Sequence, residues 1–583
     1  MKKTVRGICL LSMIVCALIG CNKKSGDRVN GDGDGNGGDT TGPVVSPQDP
    51  ATAATIGFFM DGWKEKTFVA PAFDEKAPPA SAQVTITADA SKILTKIPPT
   101  LLGNNTNIYM TQMVTEPKLL QQIQQLQPRL LRFPGGNLSS IFFWNAAPGN
   151  APADAPPQLI DADGKTNPAG YWFGGNTDGW TMSTANYYNM LRQTGTEGVI
   201  TVNYAYARYG TGPDPVAAAA HLAAEWVRHD KGRTRYWEIG NESNGTWQAG
   251  YRIDPSANRD GQPEFITGEL YGRHWRVFAD SMRKAAAETG HNIQIGAQLL
   301  EHDPPTWATA TDKGWNAGVL KEAGASADFY IVHSYFTPYN TNSNPPEVLA
   351  SAEAVSKAMM EYLRTTVQRN GGTMKPVALT EWNIFAVGSQ QMVSQVAGMH
   401  AVLVIGELLK NGFGMACRWD LANAWENGND HGLFSQGEGA SGEDKWNARP
   451  AFFYLYYLQQ CMGNRLVEST LPASNHNLNA YTTTFSSGHA GIALVNRAAS
   501  AQTVSLNLKN FRAGERYYWY ELTGGDGVSH FSRKVFVNGN GPSGIAGGPA
   551  DLGRVRAFSA KTKDGLRFTL PPMSVVFIVV ERQ

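Results

Sequence analysis

The sequence predicts an α/β protein, a (β/α)8 TIM barrel followed by a C-terminal all-β sandwich. Three observations carry this. Between Leu101 and Trp419, eight short apolar segments alternate with stretches of helical period. Each segment ends in polar or aromatic residues, which is where a β/α barrel builds its site. After about residue 465 the helical period stops, and apolar segments separated by Gly, Asn and Ser turns take over.

The barrel strands read in order as Leu101–Asn105, Leu130–Phe133, Val199–Asn203, Tyr236–Gly240, Ile293–Ala297, Phe329–His333, Val377–Thr380 and Met415–Trp419. Leu119, Leu120, Ile123 and Leu126 share one face of a helix starting near Thr115. Pro215–Val227, Tyr271–Ala287 and Val393–Leu409 read as further helices. In the tail, Ala490–Val495, Thr503–Leu508 and Ser574–Val580 read as sandwich strands. Val84–Ile86 reads as an early strand, either the start of the barrel unit or a member of the sandwich, and Ile56–Met60 as a segment packed on the barrel. The expected organisation is 83–465 for the catalytic barrel and 466–583 for the sandwich, with 51–82 unassigned.

The N-terminus reads as an export signal. Lys2, Lys3 and Arg6 precede an apolar run, Ile8–Ile19, too short for a permanent span. The run ends in Leu18-Ile19-Gly20-Cys21, which resembles the lipobox of bacterial lipoproteins. Residues 1–20 are then a signal peptide, Cys21 is lipidated, and the membrane is a partner through that anchor. Asn22, in place of Asp, favours the outer membrane. Residues 21–50 form a tether whose Gly/Asp and Pro content cannot bury enough apolar surface to fold. Its alternating Asp looks like a calcium loop but lacks the closing Glu of an EF-hand.

Composition excludes some functions. The chain has 583 residues, formal charge +0 and 17% charged residues, which gives no footprint for nucleic acid. Fifteen Trp and 21 Tyr suit a carbohydrate cleft, although most such rings serve cores. Beyond the signal and Cys21 only Cys417 and Cys461 remain; they are read as two buried thiols, with one disulfide between them as the alternative. No His/Cys spacing suggests a metal, and no cofactor is expected.

Two carboxylates carry the chemistry. Glu242 closes Trp237-Glu238-Ile239-Gly240-Asn241-Glu242, just past the fourth strand, and Glu381 follows Val377-Ala378-Leu379-Thr380, at the end of the seventh. These strands face each other across the barrel mouth. A lone Glu after a strand is usually a helix cap or half of a salt bridge. Two on opposing strands match a retaining glycosidase, which needs carboxyls about 5–5.5 Å apart in unlike environments.

Four segments resemble the α-L-arabinofuranosidases of glycoside hydrolase family 51, in the clan of (β/α)8 retaining glycosidases. They are Arg132-Phe133-Pro134-Gly135-Gly136-Asn137, Ile239 to Gln248, Thr380-Glu381-Trp382-Asn383-Ile384-Phe385, and Leu570-Pro571-Pro572-Met573-Ser574-Val575. The resemblance implies that Glu242 is acid/base, Glu381 is nucleophile and Asn241 bonds the sugar 2-hydroxyl. It places Tyr335 against the nucleophile and His333 in the pocket, where the alternative is a satisfied core histidine. Substrate contacts are also expected from Arg132, Asn137, Asn105, Asn203, Trp382, Trp419 and Trp247. The substrate implied is a plant or algal polysaccharide or its oligosaccharides.

Departures from the family pattern open other readings. An insertion from about Asn145 to Trp180 and the crowd of Asp420, Asn423, Trp425, Glu426 and His431 could shape a long cleft. One alternative is an endo-acting β-glycanase of the same clan on glucan, xylan or galactan. The other is a non-catalytic glycan-binding surface lipoprotein, which would have no need for paired carboxylates.

Overall fold

The computed structural model describes residues 44–386, 388–423, 425, 430–525 and 531–583. The expected signal, Cys21 and most of the tether therefore lie outside the described residues. No helix among the described residues is long and apolar enough to cross a membrane.

Eight parallel strands close into a barrel: Gly103–Asn105, Leu130–Phe133, Glu197–Val202, Tyr236–Ile239, Gln294–Gln298, Phe329–Tyr335, Val377–Asn383 and Met415–Arg418. All eight expected strands are present. A long helix follows each, from Pro117–Leu126 after the first to Pro450–Cys461 after the eighth. Local chemistry starts these helices. Ser183, Asp214, Thr267, Thr309, Asn344 and Ser394 each cap one by accepting a backbone N–H. The first and last begin instead on Pro117 and Pro450, where the missing N–H costs nothing. The first helix buries the expected Leu119, Ile123 and Leu126.

The bottom of the barrel is plugged. The short turn Gly57–Met60 inserts Phe59 among Leu130, Val199, Tyr236, Phe329, Ala378 and Met415 at the starts of the strands. The segment Ile56–Met60 thus packs on the barrel as read from sequence.

Apart from two small two-stranded sheets in the segment after the second barrel strand, the remaining strands form one 11-stranded sheet, mostly antiparallel. Val84–Lys96 belongs to this sheet, pairing with Arg465–Thr470 and Gln502–Lys509, so the barrel itself opens at Gly103. The sheet curls over itself into a sandwich. Phe568, on its last strand, meets Trp519 at 5.7 Å and Tyr517 at 5.2 Å, although their strands lie far apart in the sheet order. Ile86, Ile492, Val504 and Ile578 fill the same core. The sheet is fastened to the barrel by polar contacts at packed helices: Tyr481 Oη donates to Glu407 at 2.8 Å and Gln395 to the Met573 carbonyl at 2.6 Å. Cys417 and Cys461 are free and buried.

Candidate active site

The fourth strand ends at Ile239, and the chain turns sharply to present Glu242. Gly240 permits the turn with φ +78°; a Cβ there would lie 2.6 Å from Ser243 Oγ and 2.8 Å from Tyr204 Cβ. The Ser243 N–H donates to Gln298 at 2.9 Å and fixes the loop. Glu242 itself has φ +43°, a conformation costly for a residue with a side chain and one that the surrounding bonds must hold.

Glu381 is aimed differently. It lies within the seventh strand, opposite His333 of the sixth. The register shifts between Val332 and His333, and again toward the eighth strand between Leu379 and Trp382. Such irregularities redirect side chains, and here they bracket Thr380 and Glu381.

One carboxylate oxygen of Glu242, one of Glu381 and a ring nitrogen of His333 lie within 4.8 Å of one another. Glu242 accepts from Trp247 Nε1 at 3.0 Å and pairs with His333 Nδ1 at 3.0 Å. Glu381 accepts from Tyr335 Oη at 2.6 Å and lies 3.4 Å from Arg132 Nη1. His333 Nε2 meets Thr380 Oγ1 at 3.2 Å.

The electrostatics follow from these partners. Burial pushes the Glu242 carboxyl up, but the His333 bond and charge and the Trp247 N–H pull harder and hold it below its usual range. Burial also lowers a histidine, yet the two carboxylates reverse this and raise His333. Burial raises Glu381, and the neighbouring Glu242 charge adds to that against the pull of His333, Arg132 and Tyr335. The 3.0 Å contact thus joins a histidine raised and a carboxyl lowered from their ordinary values.

Beneath the carboxylates runs a buried polar layer. Arg132 is fully buried and donates to Glu238 at 2.7 Å, Asn105 at 3.0 Å and Asn241 at 2.8 Å. Asn105 donates to the carbonyl of Thr380 at 3.0 Å and is equally enclosed. Both were expected to touch substrate; both are fully buried, and their bonds to Glu238, Asn241, Glu381 and the Thr380 carbonyl hold the groups above them in place. Asn241, by contrast, has its oxygen held by Arg132 and its Nδ2 buried without a partner.

The other expected contacts divide. Asn203 is tied to Tyr209 Oη at 3.0 Å and accepts the Tyr206 N–H at 3.1 Å, a scaffold role. Trp382 is buried in the core, its ring 6.4 Å from Phe336, and does not form a surface platform. Trp419 is partly exposed and explains the Gly135-Gly136 pair: a Cβ on Gly136 would lie 2.7 Å from its ring. Asn137 is exposed at the start of the turn after the second strand.

Several site groups were not among the substrate contacts expected from sequence, although Asp420 was noted after the eighth strand. Glu238 anchors Arg132. Asp420, fully buried, accepts from Asn107 and keeps one oxygen without a partner; burial raises it well above the usual carboxylate range. Glu301 lies near enough to Glu242 and His333 to feel both charges. Glu301 and Asp420 follow strand ends, the one positional signal available. Glu242, His333 and Glu381 bring three ligand atoms within 4.8 Å of one another, and the Arg132 charge 3.4 Å from Glu381 opposes a cation among them.

Comparison with known proteins bears on the fold that holds this site. The family model described as alpha-L-arabinofuranosidase 1 domain matches residues 122–313. An intracellular exo-alpha-(1->5)-L-arabinofuranosidase of Streptomyces lividans is 25% identical over 292 residues, covering 47% of this chain and 38% of that protein. The chain spans about half the length or less of the first curated relatives it matches. Among solved structures, the alpha-L-arabinofuranosidase of Thermotoga maritima in its arabinose complex superposes with TM-score 0.58 at 19% identity, covering 86% of this chain and all (100%) of that one. A bifunctional glucanase-xylanase from a metagenome library gives TM-score 0.55 at 15% identity, over 86% of this chain and 99% of the other. The chain therefore has the arabinofuranosidase-like fold of glycoside hydrolase family 51, a (β/α)8 barrel with an attached β domain.

Proposed function

We propose that the protein is a retaining glycoside hydrolase of arabinofuranosidase type, acting on plant or algal polysaccharide or its oligosaccharides. The observation that carries this is the pair of carboxylates within 4.8 Å across the barrel mouth, each with its own hydrogen-bond partners. Such a distance leaves no room for a water between carboxylate and sugar, as inversion would require.

Glu381 is the nucleophile. Tyr335 and Arg132 support its negative charge, and it attacks the anomeric carbon to form a glycosyl-enzyme. Glu242 protonates the leaving oxygen, taking its proton across the 3.0 Å bond from His333. It then removes a proton from the water that releases the sugar. Asn241 Nδ2 donates to the sugar 2-hydroxyl, and Trp419, Trp247 and Asn137 contact the substrate at the mouth. No metal or cofactor enters the chemistry; full activity after chelation would agree with this.

Incubation with a panel of aryl glycosides, with product followed by NMR, tests the reading. The first product should keep the anomeric configuration of the substrate. An inverted first product, or no hydrolysis of any glycoside or polysaccharide, contradicts it. Accumulation of oligosaccharides without monosaccharide would favour the endo-β-glycanase reading, which the insertion near Trp180 supports.

The protein is also proposed to be an exported lipoprotein anchored at Cys21, on the motif Leu18-Ile19-Gly20-Cys21. This differs from the Streptomyces relative, whose name says intracellular. A fatty-acid analogue should label the wild type in cells; label retained in Cys21→Ala would overturn the anchor.

A further inference from the structure

The segment that joins the eighth strand to the last helix carries a buried run of charge. Asp430 and Glu443 lie on it, and Arg449 directly precedes the helix Pro450–Cys461. Arg449 Nη1 lies 2.6 Å from Asp430, and its Nε donates to Glu443 at 3.0 Å. These three side chains are at most 1% exposed. Two carboxylates and one guanidinium leave a net negative charge, which is costly to bury without a further partner.

That partner comes from the sandwich. Arg533 lies between the paired strands Ala513–Thr523 and Phe536–Val537. Its Nη2 pairs with the other oxygen of Glu443 and donates to the Ser441 carbonyl at 2.7 Å. The backbone holds Arg533 firmly. Its carbonyl accepts the Gly547 N–H at 2.9 Å, and the Ser532 carbonyl accepts the Gln395 N–H at 2.6 Å, at the start of the helix after the seventh strand. The guanidinium carbons of Arg533 and Arg449 lie 4.8 and 5.7 Å from the centre of the Trp425 ring, on the same joining segment.

The other end of the run reaches the carboxylates. Asp430 accepts the Gly432 N–H at 2.8 Å and so, with Arg449, fixes the chain around His431. His431 is buried, and its ring meets Tyr335 edge-on at 5.4 Å. Tyr335 is the donor to Glu381 at 2.6 Å. Contacts thus run unbroken from Arg533 to Glu381. Buried ion pairs give little stability over apolar packing, and fixing one arrangement is the better-attested reason to keep them.

We propose that Arg533 is a positioning residue for the barrel's reaction: by neutralising Glu443 it leaves Arg449 to hold Asp430, which keeps His431 against Tyr335 and Tyr335 on Glu381. The sandwich then supports the site directly. The inference rests on the glycosidase reading, in which Glu381 is the nucleophile. Without Arg533, Glu443 and Asp430 compete for one guanidinium. Burial pushes Asp430 up to about 6 even with Arg449 beside it, so Asp430 is poised to give up its charge and its hold.

Two full-length variants separate charge from packing. Arg533→Met should lower kcat on an aryl glycoside roughly three- to thirtyfold with KM little changed, because the support of Glu381 is felt in the transition state. Adding Glu443→Gln removes the second charge and returns Arg449 to Asp430 alone, so kcat in the double variant should recover to within about threefold of wild type. Hydrogen exchange over residues 430–435 reads the same pattern without activity: faster in Arg533→Met, restored in the double variant. A role in packing alone would leave the double variant at least as slow and as open as Arg533→Met, and that result overturns the proposal. Wild-type kcat and exchange in Arg533→Met overturn it too. If Arg533→Met does not fold, the double variant, whose buried charges balance, should fold and work; a double variant that is unfolded or impaired contradicts the proposal. If wild type hydrolyses no glycoside while the exchange pattern holds, the glycosidase reading fails and the hold of Arg533 on His431 stands.

Discussion

At the start of the barrel strands, Leu130, Val199, Tyr236, Phe329, Ala378 and Met415 close around Phe59 in an apolar plug. At their ends, Arg132, Glu238, Asn241, Glu242, His333 and Glu381 crowd charge and hydrogen-bonding groups into the same width, and Asn241 Nδ2 and Asp420 Oδ1 are left without partners. One end gains stability from burial, and the other spends it on groups held in place for a reaction. The difference teaches that a strand can be read in two halves: its first residues for packing, its last for chemistry.

Substitutions at the two ends should therefore separate activity from stability. The largest effect belongs to Glu381. Glu381→Gln should lower kcat roughly 10⁴-fold or more, and Glu242→Gln about 10²–10⁴-fold on substrates with alcohol leaving groups. Thermal melting should show both variants folded. An active Glu381→Gln would break the comparison at its polar end.

Next come two substitutions expected to unfold the barrel by similar amounts for opposite reasons. Phe59→Ala opens a cavity in the plug and should cost about 3–5 kcal/mol, with kcat/KM unchanged in the molecules that remain folded. Arg132→Met leaves the Glu238 carboxylate buried without its partner and should also cost about 3–5 kcal/mol, but here activity falls as well, because Asn241 and Glu381 lose their support. Denaturant titration beside steady-state kinetics reads the contrast. Equal losses of activity in both variants would erase it.

The effect that is smallest near neutral pH is a pH dependence in the helix Gln395–Lys410, after the seventh strand. His400 is pushed down to about 3, first by burial and then by Arg418, so it stays neutral when folded. The unfolded chain protonates it below about pH 6.5, so the folded state loses roughly 1.4 kcal/mol per pH unit from this group as pH falls from there toward 3. His400→Gln removes that loss. The stability gap between wild type and variant should shift in favour of the variant by that slope on acidification, and a gap independent of pH would show that His400 is not a buried neutral group.

Much of this was legible in the sequence, again unevenly. The eight strands were visible because each is a short apolar run, and the Glu242 and Glu381 positions followed from where those runs end. The helices Thr184–Thr194, Ala310–Glu322 and Pro345–Arg369 were harder to see. In the second of these, Gly318 packs so tightly on Glu269 that a Cβ would lie 2.2 Å from its backbone nitrogen, so small residues replace the apolar stripe that marks a helix. The burial of Arg132 and Asn105 could not be read from the sequence, because a motif shows which residues gather, not which hydrogen bonds they have already used. Asp420 and Glu301 carried no signal beyond their places after strand ends, since nothing local distinguishes a buried carboxyl from a solvated one. Trp382 stands beside Glu381 in the chain, yet strand alternation sends it into the core.

The assignment of Glu381 as nucleophile and Glu242 as acid/base is tested most directly by the stereochemistry of azide rescue. The Glu381→Ala and Glu242→Ala variants, each given an aryl glycoside and azide, should yield glycosyl azides of opposite configuration. Azide fills the place of the missing nucleophile in the first and attacks from the opposite face, giving an inverted product. In the second it attacks the glycosyl-enzyme still formed on Glu381, giving a retained product. A retained azide from Glu381→Ala together with an inverted azide from Glu242→Ala would contradict the assignment.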